Sequence, residues 1–493
     1  MRQAVRRLVL GGLVGKLLGL LREVLLAAAY GTGAPVTATR VAQTATLSPV
    51  DLFTADVLTA GFLPLHRGLD PARAAVLFRG LRTALWALAA VLTVGLLAGA
   101  RPVVGLVAPG LDPSTAASAA LFLQLTALGI PSYLQFSLLS YLEMSHGGFT
   151  LSSVRATVQN AGLIASLAAA WLLHRPVLVA TGFAAAYLGL HAWGHVSLRR
   201  RGLLPPVFHV EPGVGRELRH RLWVRLRPLL LLPVVLQSSV VLERVVASLL
   251  GEEVVAAVDY ARFVATTGVN LLAVPLGLAG LAVLAGLDAS AARARLAPVL
   301  PGLLLVVVPA SVVLVVGAAP VVEVLYARGA FDARAVRTSA AVLAGFGVGF
   351  WAQSTAYVLV KALNAAGRNA VAALALVAGL LVTVAVNVGL HGVLGPVTLG
   401  LATSAGSVVT TVVAARALGV GGFLLRWTAS CLPVAVVAGC AAHVVPWGGL
   451  PGCAAIGAVV LAVFAGACAL VPGWRRVVRG LVSGREQLVG ERA

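Results

Sequence analysis

The chain has 493 residues, 59% of them hydrophobic and only 11% charged, whereas an average soluble domain carries about a quarter charged residues. So little charge cannot cover a water-facing surface, which excludes an ordinary soluble globular protein. The net charge of +20 does not indicate nucleic-acid binding either, because the arginines sit in short segments between apolar runs, not on one phosphate-binding face.

Apolar runs of about 20 residues recur from end to end, each long enough to cross a bilayer as a helix. They are continuous rather than alternating, which argues against a β-barrel. In chain order the predicted helices are 8–30, 36–63, 82–107, 116–141, 152–173, 177–197, 222–249, 254–284, 298–326, 335–363, 369–390, 396–416, 424–445 and 452–471. The expected fold is an all-α polytopic membrane protein with about fourteen transmembrane helices. The first stretch begins like a secretory signal, with Arg2, Arg6 and Arg7, an apolar part and Ala27-Ala28-Ala29. Lys16, Arg22 and Glu23 interrupt the apolar part, so it is read as a retained first helix.

The loops fix an orientation. With the N-terminus in the cytoplasm, that side gathers Arg67, Arg73, Arg79 and Arg82, Arg155, Arg199 to Arg201, Arg216 to Arg227, Arg293 and Arg295, Lys361, Arg368, Arg416 and the arginines of the tail. The other side holds little beyond Arg175, Arg328, Arg334 and Arg337. Positive charge marks the cytoplasmic side, so both termini are expected there, in a bacterial inner membrane. The expected organisation is an N-terminal lobe over 1–200, a basic cytoplasmic linker over 201–221 and a C-terminal lobe over 222–416. Two further helices over 417–475 and a cytoplasmic tail over 476–493 complete it.

The two lobes resemble each other. At an offset of 220, Asp112 pairs with Asp332, Gly129 with Gly349 and Gly147 with Gly367. Close to that offset, Gly68-Leu69-Asp70 matches Gly286-Leu287-Asp288, and Leu21-Arg22-Glu23-Val24 matches Leu242-Glu243-Arg244-Val245. An even number of helices separates the matches, which implies two parallel six-helix lobes plus two C-terminal helices. Repeats of this kind typify alternating-access transporters.

A charge near mid-bilayer costs about 2.5–3.5 kcal/mol on insertion scales and persists where it meets a partner or a wet cavity. Helix 1 carries Lys16, Arg22 and Glu23, with Lys16 and Glu23 seven residues apart on one face. Helix 2 carries Arg40, Asp51 and Asp56, helix 7 Glu243 and Arg244, and helix 8 Asp259 and Arg262. The last two pairs are open to a purely structural reading as ion pairs. The functional reading is a cationic site for an anionic headgroup, since the planar arginine fork matches phosphate oxygens. No HExxH, GxSxG or P-loop pattern is present, so an enzyme is not expected. The four cysteines lack metal-ligand spacing. Without a nucleotide motif, transport has to draw on a Na+ or H+ gradient or on the membrane potential, and no cofactor is expected.

Several stretches resemble the MurJ/MviN family of lipid II flippases, within the MOP transporter superfamily. Gly15-Lys16-Leu17-Leu18-Gly19-Leu20-Leu21-Arg22-Glu23 with Tyr30-Gly31-Thr32-Gly33 is similar to the opening helix of that family. Phe62-Leu63-Pro64 is similar to the end of its second helix. Leu242-Glu243-Arg244-Val245-Val246-Ala247-Ser248 and Asp259-Tyr260-Ala261-Arg262 are similar to its helices 7 and 8. The resemblance implies a two-lobe fold with a central cationic cavity and an undecaprenyl-pyrophosphate-linked peptidoglycan precursor as substrate. Lys16 and Arg22 stand at the two helix-1 arginines of the family and Glu23 at the acid that follows. Arg262 stands one residue before its helix-8 arginine, a position held here by Phe263. With Arg40, these are the expected substrate-binding residues. A sodium site known in some members corresponds to Glu243, Thr383, Asn387 and Thr403, which are the expected ion-coupling residues. Two features depart from the family. The helix-2 arginine pair is absent, and Thr266 stands where a glutamate follows the helix-8 arginine.

The expected function is therefore to flip lipid II or a related lipid-linked glycan across the cytoplasmic membrane by alternating access. Expected partners are the lipid-linked oligosaccharide, membrane lipids and cell-wall synthesis proteins, with no nucleic acid. Two alternatives remain at this point: an ion-coupled MATE-like exporter, which would want acids in its cavity, and a non-transporting scaffold for cell-envelope synthesis.

Overall fold

The computed structural model describes residues 2–54, 56–206, 213–227, 230–275, 277 and 294–482. Every element in it is helical. The first helices are α1 (Arg2–Tyr30), α2 (Ala34–Thr54), α3 (Asp56–Arg67), α4 (Pro71–Ala98), α5 (Ala100–Val107), α6 (Pro113–Ala127), α7 (Ile130–Ser145), α8 (Thr150–Leu172), α9 (Leu178–Arg200), α10 (Val214–Leu226), α11 (Leu231–Leu250) and α12 (Glu252–Leu272). They are followed by α13 (Val299–Val316), α14 (Ala318–Tyr326), α15 (Ala333–Val348), α16 (Phe350–Ala365), α17 (Asn369–Leu394), α18 (Val397–Ala417), α19 (Gly421–His443), α20 (Gly449–Leu470) and α21 (Pro472–Val482).

The protein is a multi-pass membrane protein. Among the described residues, seven helices are long and apolar enough to cross a bilayer: α4, residues 233–250 of α11, α13, α17, α18, α19 and α20. The pairs α6–α7 and α15–α16 are long and apolar enough only when each is taken together, and they bend by 41° and 51° at their breaks. The fourteen expected spans are thus not fourteen unbroken helices. Predicted span 82–107 is divided at Gly99, 116–141 at Leu128-Gly129, 298–326 at Gly317 and 335–363 at Gly349. Glycine favours such breaks because it lacks the Cβ that would block close approach at the bend. Of the helices that carry the membrane charges, α1, α2 and α12 fall outside this set, whereas α11 with Glu243 and Arg244 falls within it.

The chain forms two compact units, Met1–Ala256 with Arg328–Phe331, and Ala257–Ala327 with Asp332–Ala493. The division falls inside α12, beyond the basic segment 201–221, because α11 and the start of α12 are tied to earlier helices. The Glu252 carboxylate accepts the Asp112 amide at 2.7 Å and the Thr115 hydroxyl at 3.0 Å. Its carbonyl accepts the Thr37 hydroxyl at 2.9 Å. On α11, Arg244 Nε donates to Thr44 Oγ1 at 3.2 Å and its Nη1 to the Val255 carbonyl at 2.8 Å. The second half of the basic segment is itself helical, as α10, and buries Leu218 and Leu222.

The internal repeat is visible residue by residue. Asp112 and Asp332 are both helix N-caps, of α6 and α15. Gly129 and Gly349 both sit at the bend of the following pair. A Cβ on Gly129 would lie 2.7 Å from the Phe183 ring on α9, and one on Gly349 would lie 2.4 Å from Ser404 Cα on α18. Gly147 and Gly367 both end the bent pair in the left-handed region, at φ 80° and 72°. Gly31 and Gly251, again 220 apart, follow α1 and α11 at φ 58° and 143°. The second copy of the Gly68-Leu69-Asp70 match, residues 286–288, lies outside the described residues. Small residues also close the last helix pair of each repeat. Gly162 and Gly182 bring α8 against α9, and Gly379 and Gly406 bring α17 against α18, the close approach that membrane helices use where burial against lipid gives no driving force.

Candidate functional site

The site builds up from the turn between α1 and α2. Glu23 lies seven residues before the end of α1 and Arg40 six after the start of α2, so the hairpin brings them together. Glu23 is 2% exposed and Arg40 6%. The Glu23 carboxylate takes two guanidinium groups, one oxygen accepting from Arg22 Nη2 and the other from Arg40 Nη2. Arg22 also donates from Nη1 to Asn160 Oδ1 on α8 at 3.0 Å. Asn160 in turn donates to the Gly15 carbonyl at 2.9 Å, where the missing Cβ of Gly15 lets α8 approach within contact of Ala156. One buried carboxylate thus ties two guanidinium groups from neighbouring helices, and the Arg22 side chain remains 21% accessible.

Of the expected binding residues, the structure therefore brings together Arg22, Glu23 and Arg40. Lys16 does not join them: it is exposed and forms no ion pair among the described residues. It shares a helical face with Glu23 but lies about 10 Å further along α1, beyond the stretch near the turn that α2 covers. Arg262 lies in the second unit on α12, with its guanidinium 5.6 Å above the Phe346 ring. Thr266, at the position of the family glutamate, donates back to the Arg262 carbonyl at 2.5 Å. Arg244, one turn along α2 from Arg40 through Thr44, holds helices together by the two hydrogen bonds given above.

The expected ion-coupling residues are divided between the units. Glu243 is buried in the first. Thr383, Asn387 and Thr403 belong to the second, on α17 and α18. The Thr383 and Thr403 hydroxyls donate to carbonyls one turn back on their own helices, at 3.1 and 3.2 Å. Asn387 is 2% exposed and its Oδ1 has no hydrogen-bond partner. Among the described residues, no group of three or more His, Cys, Asp or Glu side chains comes together.

Sequence reasoning missed a second polar cluster in the first unit. Asp51 on α2 accepts from the Tyr133 hydroxyl on α7 at 2.9 Å. The Tyr133 ring meets Tyr187 on α9 edge-on, with centroids 4.6 Å apart. Tyr187 donates to Gln159 on α8 at 3.0 Å, and Tyr141 on α7 donates to the Thr54 carbonyl. Arg155, one turn before Gln159 on the same helix, interacts electrostatically with Asp51 and with all three tyrosines. The tyrosines carried no charge signal, and Arg155 read as a loop arginine because the predicted helix began at 152.

Comparison with known proteins decides the family. The sequence profile described as lipid II flippase MurJ matches residues 26–457. The chain belongs to the MurJ family. A relative described as a probable lipid II flippase MurJ, from Synechocystis, is 28% identical over 381 residues, covering 72% of this chain and 69% of the relative. A solved MurJ structure in an inward closed conformation superimposes with a TM-score of 0.83 at 15% identity, over 96% of this chain and 99% of that one. An inward-facing multidrug MATE transporter of the MOP superfamily is similar at a TM-score of 0.64 and 14% identity, over 86% and 98%. At these identities the structural likeness concerns the fold. The MurJ profile match starts after Lys16, Arg22 and Glu23, so their role rests on the geometry just described.

Proposed function

We propose that this chain flips an undecaprenyl-pyrophosphate-linked glycan, lipid II or a related peptidoglycan precursor, across the bacterial inner membrane. One observation carries the reading: two arginines meet on a single buried carboxylate in the helix bundle, and one of them, Arg22, keeps its guanidinium accessible. Membership of the MurJ family supports it. Guanidinium groups bind diphosphate oxygens by charge-assisted, paired hydrogen bonds, and an accessible guanidinium disfavours the cationic cargo of a MATE-like exporter. Arg22 is the accessible contact to the diphosphate, Glu23 and Arg40 hold it in place, and Lys16 adds attraction. Both termini and the basic segment 201–221 face the cytoplasm, as the arginine distribution implies, and cell-wall synthesis proteins are the expected neighbours.

The site would face one side of the membrane and then the other, with the lipid tail remaining in the bilayer. Energy would come from an ion gradient or from the membrane potential, worth about 2.3 kcal/mol per charge per 100 mV. For Na+, the buried Asn387 oxygen without a donor is a suitable ligand, because a hard cation prefers oxygen donors. Thr383 and Thr403, whose hydroxyl oxygens keep free lone pairs, would complete its set in the second unit.

The test is complementation of a bacterial strain depleted of its own lipid II flippase. The wild-type gene is expected to restore growth, and Arg22→Ala to abolish rescue while the protein still accumulates in the membrane. Rescue by Arg22→Ala, or no rescue by the wild type together with no translocation of a fluorescent lipid-linked sugar in vesicles, would overturn the reading. A scaffold would tolerate the substitution.

A further inference from the structure

We propose that Arg155 forms a second anion-binding station in the first unit, one that receives the diphosphate headgroup before it reaches Arg22. The proposal rests on the flippase reading above and adds to it a residue that the arginine pattern did not single out.

The geometry is unusual for a membrane helix. Arg155 lies five residues into α8, about 7 Å from its start. Asp51 on α2, Tyr133 and Tyr141 on α7 and Tyr187 on α9 surround it electrostatically. Yet its side chain is exposed, and among the described residues it makes no hydrogen bond or ion pair. A guanidinium has five N–H donors. A charged group flanked by three other helices and still accessible fits a recess between them better than a lipid-facing position, because in hydrocarbon it would have to find a partner.

The surroundings explain why Arg155 does not simply neutralise itself on Asp51. The Asp51 carboxylate is already engaged by the Tyr133 hydroxyl at 2.9 Å and by Thr54 Oγ1 at 3.4 Å. Tyr133 is packed edge-on against Tyr187, which is fixed in turn by Gln159. The carboxylate is thus held in place, and the arginine keeps its donors available.

The two stations lie along one face of α2. Arg40 and Asp51 are eleven residues apart, close to three full turns, which places them about 16 Å apart on the same side of the helix. A diphosphate joined to a lipid at one end and a sugar at the other carries two negative charges, which Arg155 and then Arg22 would meet in turn. In the proposed topology α8 starts at the cytoplasmic face, so Arg155 lies nearer the cytoplasm than the Glu23–Arg40 pair. A headgroup entering from that side meets Arg155 first.

The test uses the full chain in nanodiscs, with binding of farnesyl diphosphate, farnesyl monophosphate and inorganic pyrophosphate measured by thermophoresis for the wild type and for Arg155→Gln, Arg155→Lys and Arg22→Gln. Arg155→Gln is expected to weaken farnesyl diphosphate binding about tenfold, the scale of a lost charge-assisted contact, and to reduce its salt dependence. Arg155→Lys is expected to lose less, since it keeps the charge without the fork. Melting temperatures close to that of the wild type are expected for both, which excludes a folding cause. Pyrophosphate that competes shows recognition of the diphosphate itself, whereas loss of discrimination between di- and monophosphate in Arg155→Gln shows that Arg155 reads the second phosphate. If Arg155→Gln binds within twofold of the wild type while Arg22→Gln does not, the station is wrong and the flippase reading stands. If the wild type binds none of the three, both fall.

Discussion

The two units are built on one plan and filled differently. Asp112 and Asp332 cap equivalent helices, Gly129 and Gly349 bend equivalent pairs, and Gly147 and Gly367 end them. Yet among the described residues every buried charged side chain lies in the first unit: Glu23, Arg40, Glu143, Glu243 and Arg244. The second unit buries only hydroxyls and the Asn387 amide around an apolar core of residues such as Leu300, Leu304, Val307 and Phe350. Backbone architecture is set by caps, glycines and apolar runs, which both halves keep. Charge in the membrane persists only where a partner or ligand repays its desolvation. Under the proposed function this asymmetry puts the diphosphate contacts in the first unit, while the second offers the buried Asn387 oxygen as a cation ligand.

Glu23 offers the strongest way to break this comparison. Glu23→Ala removes the carboxylate that two guanidinium groups share and should lower stability by about 3–5 kcal/mol, the cost of breaking a buried ion pair. The Glu23→Gln, Arg40→Met double substitution should recover much of that. Thermal unfolding in detergent measures both, and a melting temperature for Glu23→Ala within a degree of the wild type would remove the charged network from the account.

The shared plan itself is tested at the bends. Gly349→Ala and Gly129→Ala should each cost about 1–3 kcal/mol, the usual penalty of overpacking. Gly349 should suffer more, because its added Cβ meets Ser404 backbone at 2.4 Å whereas the nearest atom at Gly129 is a Phe183 ring carbon at 2.7 Å. Tolerance at one bend and collapse at the other would mean that the two pairs are not equivalent.

Asn387→Leu sharpens the contrast from the second unit. Replacing an amide whose oxygen has no donor should change stability by less than about 1 kcal/mol in potassium buffer. If the residue holds Na+, the wild type alone should gain melting temperature on transfer to sodium. A wild type indifferent to sodium leaves the second unit without a coupling role.

The smallest effect concerns His66, near the cytoplasmic end of α3 in the proposed topology. Burial, with the neighbouring His146 ring 6.0 Å away, holds its pKa down at about 4. A histidine kept neutral in the folded state stabilises fully above pH 6.5 and loses that contribution as pH falls toward 4. Stability should drop by about 1 kcal/mol by pH 5.5, and His66→Gln should flatten that limb of the pH profile.

The sequence carried the fold further than the site. Leu21-Arg22-Glu23 and Arg40 stood out because charge is rare in apolar runs, and three of those residues do meet. Arg155 did not stand out, because five residues into a helix a basic residue looks like part of the preceding loop. Nor did Tyr133 and Tyr187, which in a sequence are ordinary core aromatics. Lys16 was grouped with Glu23 by helical periodicity, which gives the direction of a side chain but not what covers it at that height.

What the sequence determined alone was the class of molecule and its internal repeat. Apolar length, scarcity of charge and a constant offset of 220 are properties of the chain, and backbone hydrogen bonding in a membrane leaves helices as the one solution for such runs. What only the tertiary structure decided was which charges meet. Glu23 reaches Arg40 as well as its neighbour Arg22 because a three-residue turn folds α2 back onto α1, and Asp51 reaches Tyr133 because α7 packs on α2. Pairings between helices depend on crossing points and heights, and those are fixed by how side chains pack, not by their spacing along the chain.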